Sequence, residues 1–298
     1  MTINAKQVSL RLTQDRSSAL RATVKKYYIY VVLILIVILF AMVKVDKVGL
    51  FGRGAFLSPD SIINLLRSAV PIMMVSGAFT LLMISGYIDL SVGSAMSLNA
   101  VVFAFMVLNG FDFLPALLVT PAVGVVLGIF NGALVVKLRI TPVIATLVTL
   151  NLFKGIALLI VPDGLSAIKG SAAKPMPGWI NDFGRQDVLF GLPMAFFVAL
   201  ILLATLIIIQ RKTIIGKYAA AIGGNPVAAQ LSGINAVKYV WVLYVVVGVC
   251  AALAGVARAS YMSLGDPLSS DGMETACIIA VLLGEPPSLE AKGRSRRR

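Results

Sequence analysis

The chain has 298 residues, of which 59% are hydrophobic, with a mean hydropathy of +0.94 and a net charge of +13. Soluble domains are near half apolar on a comparable count, and several runs here exceed the ~18 apolar residues that mark a membrane span. The runs are continuous rather than alternating, which excludes a barrel and argues against strands.

With no histidine and only Cys250 and Cys277, which form no CxxC, a zinc or redox-metal site has little to build on. The basic residues lie in short loops and tails between spans, a pattern of orientation bias rather than a nucleic-acid face. The reading is an all-α polytopic integral membrane protein in contact with lipid, with about eight transmembrane helices, an N-terminus inside and no nucleic-acid partner.

Residues 1–26 are polar and basic and form an inner tail. The apolar run 27–43 is followed by Lys44-Val45-Asp46-Lys47 rather than a small-x-small cleavage site, so it reads as an uncleaved first span. Span two, 62–84, runs inward. The stretch Ser85-Gly86-Tyr87-Ile88-Asp89-Leu90-Ser91-Val92-Gly93-Ser94 interrupts the apolar sequence. A free backbone N–H or C=O in hydrocarbon costs several kcal/mol, so this break must face protein, water or the membrane surface. Asp89 suits a turn into a helix, its carboxylate accepting the N–H of Ser91 or Val92. A hinge at the wall of a transport path, involving Gly86, Asp89, Ser91 and Gly93, is the alternative to a plain cap.

Span three, 92–108, carries Asn99 and ends at the turn Asn109-Gly110-Phe111-Asp112. Span four, 113–136, repeats glycine at 124, 128 and 132. That stripe permits close helix approach, within the bundle or across a homodimer seam. Thr141-Pro142 reads as N-cap plus first-turn proline. Span five, 142–161, contains Asn151 and Lys154, and a lysine near the middle of a span needs a partner. Residues 162–187 form an outer loop with Trp179, either an interfacial anchor or a contact for an external partner. Span six, 188–209, ends at Arg211-Lys212, and 211–238 is an inner loop. Span seven covers 239–257, Arg258–Met273 is an outer loop, and span eight covers 274–284. Inner segments before residue 285 then hold twelve Lys or Arg and outer loops seven, which favours this orientation.

Within the inner loop, Gly223-Gly224-Asn225-Pro226 is a turn and Val227–Leu231 a short helix, stopped by Ser232-Gly233. Its Ala228-Ala229 face is small enough to nest in a partner's groove, although an ordinary helical connector has the same spacing.

Three segments resemble the permease subunits of ATP-binding-cassette sugar importers of the ribose, xylose and autoinducer-2 type. Gly86–Ser94 is similar to the family's GGIDLSVGS, with Tyr87 replacing the second glycine. Thr141–Leu147 is similar to its PxFIATLG stretch, with Val148 where glycine is usual. Ala221–Ile234 is similar to its AIGGNxxAAxLSGI loop, a divergent coupling motif, with Val227 in place of glutamate.

The resemblance implies a permease acting with a second copy or a paralogue, two cytoplasmic ATPase subunits and an extracytoplasmic sugar-binding protein. It places ATPase docking on residues 223–234, through Gly223, Gly224, Asn225, Ala228, Ala229 and Gly233. Gly86, Asp89, Ser91, Gly93, Asn99, Asn151 and Lys154 are the expected path or hinge residues. The chain lacks GxxxxGK[ST]: around Gly216-Lys217, Arg211 stands where the first glycine belongs and Tyr218 where Ser or Thr belongs. No cofactor is therefore expected on this chain, and ATP and Mg are assigned to the partner ATPase. The expected place is the bacterial inner membrane.

After Gly284 the family continues with a GGTSLxGGxG segment and about two more spans, ten in all. Here Glu285–Gly293 and a basic end follow. One base restored before a compatible coding string turns 285–292 into Gly-Thr-Ser-Leu-Ala-Gly-Gly-Lys, so a one-base deletion is expected, with a natural basic tail as the alternative. The alternative, an ion-coupled secondary carrier or channel acting without an ATPase, would need more intramembrane acids or histidines. A membrane enzyme would need an acid/base or nucleophile constellation, and none is visible.

Overall fold

The computed structural model describes residues 30–40, 56–161, 168–170 and 176–284. The basic tails 1–26 and 285–298, and with them the expected frameshift, lie outside the described residues. The chain divides into two compact units, Met1–Asn64 with Glu285–Arg298, and Leu65–Gly284. In the first, helix α1 spans Tyr30–Phe40, and the rings of Phe40 and Phe56 lie 5.7 Å apart. Ser58 opens the next helix, its hydroxyl accepting the N–H of Ser61 at 3.2 Å.

The second unit is a helical bundle. Helix α2, Pro59–Ile84, begins with proline and Asp60 in its first turn. It ends where Gly86, at φ +85, lets its own N–H reach Met83 O and that of Tyr87 reach Leu82 O. This pair of bonds around a left-handed glycine satisfies the last helix carbonyls. Helix α3, Val92–Leu108, closes the same way at Gly110, with bonds to Val107 O and Met106 O.

Helix α4, Phe113–Gly132, runs on through a π turn, Ala133–Lys137. Helix α5, Pro142–Ile160, starts at its proline; the Thr141 side chain makes no cap bond, contrary to expectation, and only its carbonyl accepts Ala145 N–H.

Beyond α5 the segments between the long helices are more structured than the sequence indicates. Strand β1, Ile168–Lys169, pairs with β4, Leu264–Gly265, and β2, Asp187–Leu189, with β3, Leu192–Pro193. These two short pairs are the exception in a mostly helical chain, and among the described residues no barrel forms. Between them lies α6, Trp179–Gly184, with Trp179 packed edge-on to Phe113 at 5.6 Å between ring centres.

Helix α7, Met194–Lys212, starts later than the expected Val188, because Val188–Pro193 is taken by the β2–β3 hairpin. The segment between α7 and the next long helix holds two helices, α8 at Ile214–Gly224 and α9 at Pro226–Leu231. Helix α10, Ala236–Met262, is longer at both ends than the expected span and includes Arg258. Helix α11 covers Met273–Gly284. Among the described residues five helices, α2, α4 with its π turn, α5, α7 and α10, are long and apolar enough to cross a membrane, and α1, α3 and α11 are shorter apolar helices.

The core seam is α4 against α10. A methyl group on Gly124 would overlap the Gly248 carbonyl, and one on Gly248 would overlap the Gly124 carbonyl. Gly128 sits against Tyr244 and Val245, and Gly132 against the Trp241 indole. The glycine stripe is thus consumed by packing within the chain and is not a dimer seam. Helix α10 also covers α3: a Cβ on Gly255 would stand 2.5 Å from Met96 O. Small residues let the two backbones meet where helix association in lipid depends on packing.

Candidate functional site

Helix α3 has 17 residues, and all but a few of its side chains are buried, including Ser94, Ser97 and Asn99. A helix so short and so enclosed by α4, α5 and α10 is an interior element. Its entry is the break at 85–91.

There Asp89 Oδ1 accepts the Ser91 N–H at 2.8 Å and the Ser91 hydroxyl at 2.6 Å. Asn131 of α4 donates to Asp89 Oδ2 at 3.2 Å and to Ser91 Oγ at 2.8 Å. Tyr244 of α10 donates its hydroxyl to the Ile88 carbonyl at 3.0 Å. Asp89, Ser91 and Asn131 are all buried. The break is therefore a hydrogen-bonded knot tying α2, α3, α4 and α10, with its polar groups turned inward as hydrocarbon requires. Asn131 and Tyr244 escaped the sequence reading. Asn131 stands within the glycine stripe, one residue before Gly132, and that polar position in an otherwise small-residue face was the available signal.

The segment carrying α8 and α9 meets this knot at Gly223. A Cβ on Gly223 would overlap the Ile84 carbonyl, and the nearest atom to a Cβ on Gly86 is the Gly223 Cα at 3.9 Å. Two motifs more than a hundred residues apart in sequence thus touch at their glycines. Gly224 has open space around it. Asn225 caps α9, its Oδ1 accepting Val227 and Ala228 N–H at 3.1 and 3.0 Å. Gly233, at φ +81, ends α9 by the same left-handed closure seen at Gly86, with Ile234 N–H bonded to Ala229 O.

Ala229 is buried in the chain's own core. The expectation that Ala228 and Ala229 form one outward face is corrected: Ala228 faces out with Val227 and Leu231, which are 66% and 85% exposed. At helical spacing, residue 229 points away from the face carrying 227 and 231.

Farther along α3 a strap, residues 266–272, returns beside it. Gly265 lies against Val101 and Ala104, Ser270 N–H donates to Ser97 Oγ at 3.0 Å, and Glu274 lies over Gly93. The strap carries Asp271 to Lys154 at 2.5 Å, so the lysine within span five has its partner. Asn151 is exposed on α5 and donates to Leu147 O at 3.1 Å. Asn99 lies apart from these, fully buried beside Gly255, its Nδ2 on Ala95 O at 2.8 Å. The structure thus divides the expected path residues: Gly86, Asp89 and Ser91 in the knot, Gly93 under the strap, Asn151 and Lys154 on the open side of α5, and Asn99 in the core.

A cavity of about 640 Å³ lies elsewhere, between α4, α6, α7 and α10, walled by Phe113, Leu117, Trp179, Phe183, Met194, Val198 and Leu253 with Asp182 and Gln186. It shares no residue with the knot or the strap. Among the described residues no group of His, Cys, Asp and Glu could hold a metal ion, and Cys250 and Cys277 are buried free thiols.

A multi-helix membrane bundle with an enclosed broken helix, and a pair of short helices resting on the break, has the build of a membrane transport protein. The comparisons agree. Residues 61–287 match the family described as branched-chain amino acid transport system / permease component, and the chain belongs to that family. It is 33% identical over 268 residues to the ribose import permease protein of Haemophilus influenzae, covering 89% of this chain and 78% of that one. It is 31% identical over 271 residues to the D-allose transport system permease protein of Escherichia coli, covering 90% and 78%. The fructose import permease protein of Bifidobacterium longum is 30% identical over 269 residues, with 88% and 73% covered. No solved structure gives a significant match. The chain is a multi-pass permease of the bacterial inner membrane, a transport component rather than an enzyme.

Proposed function

We propose that this chain is the membrane subunit of an ATP-driven importer for a monosaccharide or a similar polyhydroxylated solute. It works by alternating access with its N-terminus inside, beside a second permease copy or a paralogue. Two cytoplasmic ATPase subunits carry ATP and Mg, and an extracytoplasmic sugar-binding protein delivers the solute. The relatives named for ribose, allose and fructose import support the solute class.

One observation carries the mechanism: the Gly223 backbone rests directly on the Ile84–Gly86 backbone beside the buried Asp89–Ser91–Asn131 knot. A push on α8 and α9 is therefore delivered to the junction of α2 and α3. Such a junction is a hinge between two packed arrangements, and nucleotide binding biases it. In this reading Gly223, Gly224, Asn225, Ala228 and Gly233 shape the docking segment, while Val227 and Leu231 supply its apolar contact. Gly86, Asp89, Ser91, Gly93 and Asn99 belong to the hinge and its bearing surface, and Asn151 and Lys154 line the path.

The test is uptake of labelled ribose, allose and fructose by proteoliposomes holding the chain with its ATPase and binding protein. ATP-dependent uptake is expected, and Leu231→Asp should lose ATPase co-purification while the permease stays folded. Uptake that needs no ATPase would sink the proposal.

A further inference from the structure

Asn151 and Lys154 are three residues apart on α5, so they share a face. Around them the helix exposes Ile144, Leu147, Val148 and Leu152. Lys154 bonds Asp271 at 2.5 Å, yet their side chains stay 31% and 44% exposed. The strap that presents Asp271 is fixed in place. Arg258 donates to Ser269 O at 2.8 and 3.2 Å, and Ser270 N–H donates to buried Ser97. An open ion pair beside an exposed amide, well inside a 19-residue span, is costly against hydrocarbon. The face carrying it is therefore wetted.

We infer that Asn151, Lys154 and Asp271 form a hydroxyl-recognition site on the path wall, with a neutral polyol as ligand. The inference rests on the monosaccharide-permease reading above. Lys154 has three N–H donors and spends one on Asp271 Oδ2. Asp271 Oδ1 and Asn151 Oδ1 remain as acceptors, and the Asn151 amide keeps one N–H after giving the other to Leu147 O. Each hydroxyl of a vicinal diol both donates and accepts, so adjacent hydroxyls can bridge the ammonium and the two free oxygens. The paired charges cancel locally, which favours a neutral solute over an anionic or cationic one. Few contacts on one wall give the weak binding a passing solute needs.

The test uses Val148→Cys, an exposed position one turn before Asn151, in the full chain, assembled with its ATPase and binding protein. The native cysteines Cys250 and Cys277 are buried. A charged methanethiosulfonate reagent should modify the new thiol, and D-ribose, D-allose or D-fructose should slow that modification. Adding Asp271→Asn should raise the half-protecting sugar concentration at least tenfold. The double exchange Lys154→Asp with Asp271→Lys keeps an ion pair but turns it around, and should not restore protection. No modification, no protection by any of the three sugars, or full recovery in the exchanged pair would each overturn the inference. ATP-driven uptake by the unmodified assembly separates the cases: if it is present while protection fails, only this site is wrong, and if it is absent, the transport reading falls first.

Discussion

Helices α3 and α5 are both apolar, near in length and packed side by side, yet they live in different solvents. Almost every side chain of α3 is buried, whereas α5 leaves most of its apolar residues exposed. On α3 the serines and Asn99 sit in protein and bond mainly to nearby backbone. On α5 Thr146 and Thr149 are buried in the same way, but Asn151 and Lys154 stand in the open, and Lys154 is paired through a strap from elsewhere. Apolarity alone therefore does not tell a core helix from a boundary helix. The difference lies in the small residues of the neighbours: Gly124, Gly128, Gly248 and Gly255 draw α4 and α10 in around α3, and among the described residues nothing comparable closes over α5.

The largest expected effect breaks that enclosure. Gly248→Leu would drive a side chain into the Gly124 carbonyl and the Gly128 N–H at the α4–α10 seam. Overpacking of this kind costs about 3 kcal/mol or more where backbone cannot move aside. Loss of monodisperse protein, or a large fall in the detergent unfolding midpoint, is the expected outcome, and an unchanged midpoint would mean the seam is loose.

Next comes the knot. Asp89→Ala strands the Ser91 N–H, the Ser91 hydroxyl and one Asn131 amide interaction in a buried place. About 1–3 kcal/mol of stability should go, and transport should fall further than stability because the hinge loses one of its two bonds to Asn131 of α4. Asp89→Asn, which keeps an acceptor oxygen, should lose less on both counts. On the α5 side, Lys154→Met should change stability by less than about 1 kcal/mol, since a half-exposed pair contributes little. A larger fall in a denaturation curve would show that the strap depends on the pair for its position.

The sequence carried the helices well because membrane spans are long and each is apolar on its own account. The break was legible too: Gly86, Asp89 and Ser91 announce a turn through local chemistry, and Asp89 does accept the Ser91 N–H. What it did not disclose is long-range. Nothing near Asp89 names Asn131, and nothing near Lys154 names Asp271, 117 residues away. Gly223 and Gly86 stand in separate motifs, and only the fold shows that Gly223 is needed for the close approach to the Ile84 carbonyl beside Gly86. The strands at 187–193 were hidden because Val188–Phe190 is as apolar as the helix after it, so the run was extended backward through the hairpin. Ala229 was misplaced for a related reason: two adjacent alanines look alike until the helix is rotated into its socket.

The smallest change gives the most discriminating reading of α5. Gly155 follows Lys154, and a Cβ built there meets nothing within 4 Å. Its backbone is ordinary helix, so Gly155→Ala loses no required conformation and removes the entropy penalty of a mid-helix glycine. A gain of roughly 0.5 kcal/mol is expected, a small rise in the unfolding midpoint of the isolated chain. The same methyl group that is harmless at an open surface is felt where a second permease copy closes over the helix. If the midpoint rises for the isolated chain but falls for the assembled importer, a neighbouring protein lies within a methyl's reach of Gly155. If both rise together, the space beside Gly155 stays open in the assembly. Either result fixes how far the contrast with α3 extends, because Gly255 meets the α3 backbone within the chain, whereas a Cβ at Gly155 meets no described residue within 4 Å.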